Sequence, residues 1–167
     1  MGTEGSTMLE PVWRGLPPID APGVSGSASC SLPARFDAVK GARRFTGATL
    51  EQWELPELFD EVALVVSELV TNALRHAVPG VRPDSPPGAE PETQVRLHLM
   101  RWHSRLVCAV RDPSEKSPVA GEADLSEESG RGLCLVESFT DDWGWHRLAG
   151  TLRGKVVWAL FLLPRTR

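Results

Sequence analysis

The chain of 167 residues has no tyrosine, few aromatic residues (7%) and only three cysteines. Cys30, Cys108 and Cys134 are an odd set without framework spacing, which excludes a scaffold stapled by disulfides. Cys108 and Cys134 lie inside apolar stretches and read as reduced core residues, which suits a cytoplasmic setting. A basic run is also missing and the net charge is −4, so no direct nucleic-acid partner is expected. No apolar segment follows a basic one at the N-terminus, so no secretory leader is expected. The longest apolar run, Val156–Leu163, is far too short to span a bilayer. His98 and His103 have no Cys, His or acidic partner at metal-ligand spacing and read as solvated strand and turn residues.

What remains is an ordinary globular composition, 41% hydrophobic and 24% charged, at the length of one domain. Residues 1–29 are rich in Gly, Pro, Ser and Ala without a period and read as a flexible tail, leaving 30–167 as the domain. Ser31–Leu32–Pro33 opens a first helix, carried by Phe36, Val39, Ala42 and Phe45 and ended by Gly47. Trp53 and Leu55 lead into Pro56, suited to the first turn of the next helix. That helix, Glu61–Ala77, is the most regular stretch: Val62, Val65, Val66, Leu69, Val70, Ala73 and Leu74 recur at three- and four-residue spacing. Residues 79–92 carry five prolines and form a long loop. Val95, Leu97, Leu99 and then Leu106, Cys108, Val110 alternate around a turn at His103–Ser104, an antiparallel hairpin. Residues 113–129 show no period. A helix over Leu133–Phe139, with Leu133, Leu135, Val136 and Phe139 inward, precedes a last hairpin, Trp143–Leu148 and Lys155–Leu163. Helices segregated from hairpins predict an α+β fold, a two-layer sandwich of helices on a mixed, largely antiparallel sheet.

Three segments hold polar residues that a core does not require. Glu68 and Asn72 sit four apart on one side of the central helix, a carboxylate beside an amide oxygen. Taken alone, the pair also reads as a Glu and an Asn that merely sit on the solvated flank of the helix. Asp112 ends a strand before Pro113–Ser114, where an acid can accept a hydrogen bond from an exocyclic amine or merely start a turn. Ser129–Gly130–Arg131–Gly132 stands before a helix, where backbone N–H groups and the helix dipole favour an anion. An ordinary glycine-rich loop fits that segment as well.

In this order and spacing the three segments resemble the ATP-binding boxes of the GHKL (Bergerat-type) superfamily, above all the bacterial anti-sigma-factor serine/threonine kinases. SELVTNALRHA resembles the N box, VRDPS the adenine box, ESGRGLCLVESF the phosphate box and GKVVWALFL the closing strand. The resemblance spans about residues 30–163. It implies the Bergerat ATP-binding fold, with ATP and Mg²⁺ as cofactors. It implies Asn72 as the Mg²⁺ ligand and Glu68 as the base that takes the proton of an attacking hydroxyl. Asp112, with Ser114 beside it, would read the adenine amine. Gly130, Arg131, Gly132 and Leu133 would meet the phosphates, Arg75 and His76 would close the N box, and residues 113–129 would form a lid. One departure stands out: the family's adenine box reads Asp-x-Gly-x-Gly, and here Pro113, Ser114, Glu115 and Lys116 follow the acid. The partners implied are a small anti-anti-sigma (STAS-type) protein, a sigma factor and a second copy in a homodimer. The alternative is a partner-switch regulator that keeps the nucleotide and transfers nothing.

Overall fold

The computed structural model describes residues 23–77, 95–114, 127–148 and 154–164, with the backbone alone for 76–77 and 127–132. Residues 115–126 of the expected 113–129 lid and the proline-rich loop therefore lie outside the described residues, as does the tail up to residue 22, while residues 127–129 of that lid already belong to a helix.

The first element is a strand, β1 (Val24–Leu32), where a period-free segment leading into a helix is expected. Its exposure alternates: Ser25, Ser27, Ser29 and Ser31 are exposed, while Val24, Gly26, Ala28, Cys30 and Leu32 are at least half-buried, with an irregular register between Val24 and Gly26. The less exposed residues are mostly small, so the strand lacks the bulky β-branched and aromatic residues that usually mark one. It pairs with β2 (Val95–Trp102), and the His103 N–H donates to the Gly23 carbonyl at 2.8 Å to fasten its start. β2 and β3 (Arg105–Asp112) form the expected hairpin, with His103 at φ +50° in the turn. β4 (Asp142–Arg147) and β5 (Lys155–Leu162) form the second hairpin. The sheet order is β1-β2-β3-β5-β4 and each described pairing is antiparallel, so the mixed component of the expected sheet has no counterpart there.

Helix α1 (Ala38–Gln52) begins seven residues after Ser31, which lies in β1 and caps nothing. Its buried face is Ala38, Ala42, Thr46, Thr49 and Leu50, and the Thr46 hydroxyl donates back to the Ala42 carbonyl at 2.8 Å. Gly47 does not end this helix. A Cβ there would come within 3.1 Å of the Phe59 ring, so the glycine permits a close helix–helix approach instead. The chain leaves α1 at Glu54, whose φ of +59° turns it left-handed. A 3-10 turn over Pro56–Leu58 feeds α2 (Phe59–Ala77), and α3 (Glu127–Phe139) packs against α2.

The helices lie on one face of the sheet. Val62, Val65, Val66, Leu69, Val70 and Leu74 of α2 share one buried cluster with Leu97, Leu99, Leu106, Cys108, Val110, Val157, Ala159 and Phe161. Each such side chain taken from water contributes about 1.5–3 kcal/mol. The strands' opposite phase (Met100, Trp102, Val107, Ala109, Val156, Trp158, Leu160) is buried too, in a second cluster. Cys108 is buried as expected and its thiol is pushed up to about 12, by burial first. Two core expectations are corrected. Cys134 is exposed on α3, and Phe139, the last residue of that helix, is 40% exposed.

His98 is half-buried on β2 rather than solvated. Burial, with Arg96 and Arg111 adding repulsion, lowers its pKa from 6.5 to about 4. The folded protein therefore holds His98 neutral where an unfolded chain would take up a proton. This contribution to stability is full above pH 6.5 and falls away as the pH drops towards about 4. Thermal unfolding followed over that window is expected to show a falling midpoint, and His98→Gln is expected to flatten that fall.

Candidate functional site

The site is built on α2. Asp60 and Glu61 occupy its first turn, where carboxylates favour the positive end of the helix dipole. Its valine and leucine stripe fixes the helix against the sheet, which sets the rotation of every other residue on it. Glu68 and Asn72 fall on the margin of that stripe, both half-buried and one turn apart. Neighbouring Ser67 holds the helix to α1: its hydroxyl donates to the Ala63 carbonyl at 2.6 Å and accepts from Arg43 Nη1 at 3.1 Å. Arg43 also lies over the Phe59 ring, 5.7 Å from its centroid. Arg75 is exposed near the helix end, and the side chain of His76 lies outside the described residues.

α2 also packs against β3 and α3, which carry the remaining boxes. On β3, Leu106, Cys108 and Val110 face the helices, and the period of two places Asp112 in the same phase. Asp112 is 2% exposed. Its Oδ1 accepts from the Ser114 backbone N–H at 2.9 Å and from Lys155 Nζ at 3.0 Å. Burial pushes the Asp112 carboxyl above the usual carboxylate range, while Lys155 and the Ser114 amide pull it back.

Lys155 is the residue that sequence reasoning passed over. It is only 3% exposed, opens β5 directly across from Asp112, and lies in phase with buried Val157, Ala159 and Phe161. A lysine at a core position of a strand must be paired, and that is the signal that could have found it. Leaving one member of such a buried pair alone costs about 3–5 kcal/mol. Gly154, just before it, has φ +114°, and a Cβ there would run into the Asp112 carbonyl oxygen. Gly154→Ala is thus expected to combine backbone strain of about 1–3 kcal/mol with displacement of Asp112. Chemical denaturation should report the lost stability.

The phosphate box needs correction. Ser129–Gly130–Arg131–Gly132 does not precede the helix; α3 already begins at Glu127. Gly130 and Gly132 therefore lie in its first two turns. The amide groups left without intrahelical partners belong to the residues around Glu127–Ser129 rather than to both glycines. An anion at this end of α3 would meet those amides and the helix dipole. Leu133, expected at the phosphates, is half-buried at the end of the second turn.

Among the described residues no group of three or more His, Cys, Asp or Glu side chains could hold a metal by itself. Asn72 still offers one hard oxygen at the edge of the core. A Mg²⁺ ion fits such a donor, since it keeps several waters and takes phosphate oxygens for the rest of its shell. No helix among the described residues is long and apolar enough to cross a membrane.

The family model for the histidine kinase-like ATPase domain matches residues 32–161, from the end of β1 to the penultimate residue of β5. No curated protein matches the chain.

Proposed function

The chain belongs to the histidine kinase-like ATPase domain family, and from that premise we propose a partner-directed protein kinase. In this reading it binds Mg²⁺-ATP and phosphorylates a serine or threonine of a small anti-anti-sigma (STAS-type) protein. It also sequesters a sigma factor, and it works in the cytoplasm as a homodimer. ATP binding follows from the family. The kinase role is supported by one observation above all: Glu68 and Asn72 stand a helical turn apart at the edge of the core, on the helix that also touches the Asp112 strand and the phosphate-box helix.

When bound, the nucleotide supplies the phosphoryl group and the metal spreads its charge. Each residue of this chain then has a separate task. Asp112 accepts a hydrogen bond from the base amine. The first-turn backbone amides of α3 orient the phosphates, and Arg131 is proposed to join them. Asn72 gives its amide oxygen to Mg²⁺. The Glu68 carboxylate takes the proton of the partner's hydroxyl as that oxygen attacks. The nucleophile belongs to the partner, so no covalent intermediate forms on this chain.

The second reading, a nucleotide-bound switch without transfer, draws on Asp112: its Oδ1 already carries two donors, and Pro113–Ser114 replace the flexible glycine that usually follows. The deciding experiment recovers the interacting proteins from the native host and incubates the smallest with γ-labelled ATP. Label on a serine or threonine of that protein is the expected result. Unlabelled partners, each shown to be bound, would leave the non-catalytic switch in its place.

A further inference from the structure

We propose that Lys155 is the positioning residue of the base site, acting through Asp112 to make it select a purine with an exocyclic amine over one with a keto oxygen. The proposal rests on the ATP-binding reading above. Lys155 and Asp112 are direct cross-strand partners, and their side chains are 4% and 1% exposed. Both donors, Lys155 Nζ at 3.0 Å and the Ser114 N–H at 2.9 Å, converge on Oδ1. A carboxylate is planar, so fixing Oδ1 from two directions also fixes where Oδ2 points. Gly154 presses against the Asp112 carbonyl, which holds the start of β5 close to the end of β3.

The chemistry of selection follows from the charge of Asp112. An ionised carboxylate only accepts hydrogen bonds, so it welcomes an amine and repels a keto oxygen. A protonated carboxyl can donate, and it would then accept the keto base. Burial favours the protonated form and Lys155 opposes it; among the described residues Lys155 is the charged group acting on Asp112. Bringing a full ammonium into the core carries a heavy desolvation cost, which a neutral donor would avoid. Its presence there fits a need to keep the carboxylate charged.

The test is competition binding of ATP and ITP to the full-length protein, over roughly pH 5.5–9. The proteins compared are wild type, Lys155→Met, Lys155→Arg and Asp112→Asn. Wild type is expected to prefer ATP by roughly tenfold or more, with little dependence on pH. Lys155→Met should lose that preference at low pH and recover it as the pH rises, while Lys155→Arg keeps it throughout. A purely structural lysine would instead weaken both nucleotides together, without a pH trend. If the methionine variant does not fold, Lys155→Gln, which keeps a neutral donor, is read in the same way. An unchanged, pH-flat ratio in the lysine variants beside a changed one in Asp112→Asn overturns the proposal and leaves the base site standing. An unchanged ratio in Asp112→Asn overturns the base site itself, and the proposal with it.

Discussion

Glu68→Ala is expected to lower phosphoryl transfer to the partner by about 10²–10⁴-fold, the usual effect of a general base, while nucleotide affinity changes little. The carboxylate is half-buried at the margin of the α2 stripe, so its removal takes nothing from the apolar cluster. Alanine is also the best helix former, which favours a folded variant. The contrast with Asn72→Ala makes the prediction sharp. Asn72 lies one turn along the same helix, but its proposed task is to hold the metal. Its loss should weaken Mg²⁺-ATP binding and transfer together. A folded Glu68→Ala protein that transfers at the wild-type rate would remove the base assignment.

Asp112→Asn is expected to weaken ATP binding roughly ten- to a hundred-fold, the worth of a hydrogen bond that involves a charged group. This change also has a structural consequence. It leaves the Lys155 ammonium buried opposite a neutral amide, so the unfolding midpoint should fall as well. Titrations with nucleotide therefore belong at a temperature well below the variant's own transition. Affinity equal to wild type in a folded Asp112→Asn protein would show that the base does not sit on this carboxylate.

What the sequence made legible follows from local physics. The α2 stripe is visible because valine and leucine at helical spacing leave one arrangement that buries them all. The first hairpin is visible because its residues alternate around a two-residue turn, and the second because Gly150 and Gly154 separate two strand-like runs. Asp112 was singled out because an acid ends an otherwise apolar strand, and it is buried there. β1 was hidden because alternating serines with glycine, alanine and cysteine resemble a linker in composition; its stability comes from pairing with β2, a tertiary effect that local propensity does not register. Gly47 and the glycines of α3 misled in a common way. Glycine often ends or precedes a helix, yet here packing and the backbone ladder carry the helix through it. Lys155 escaped because its meaning depends on a partner 43 positions away, brought opposite by the β3–β5 register.

Whether the described fold is a working nucleotide site is tested by calorimetric titration of the full-length protein with ATP, with and without Mg²⁺. Saturable heat is expected with ATP and with ADP, stronger when Mg²⁺ is present and weakened in both Asn72→Ala and Asp112→Asn. Absence of heat and of saturation at millimolar ATP, in wild-type protein shown to be folded by its thermal transition, would contradict that expectation.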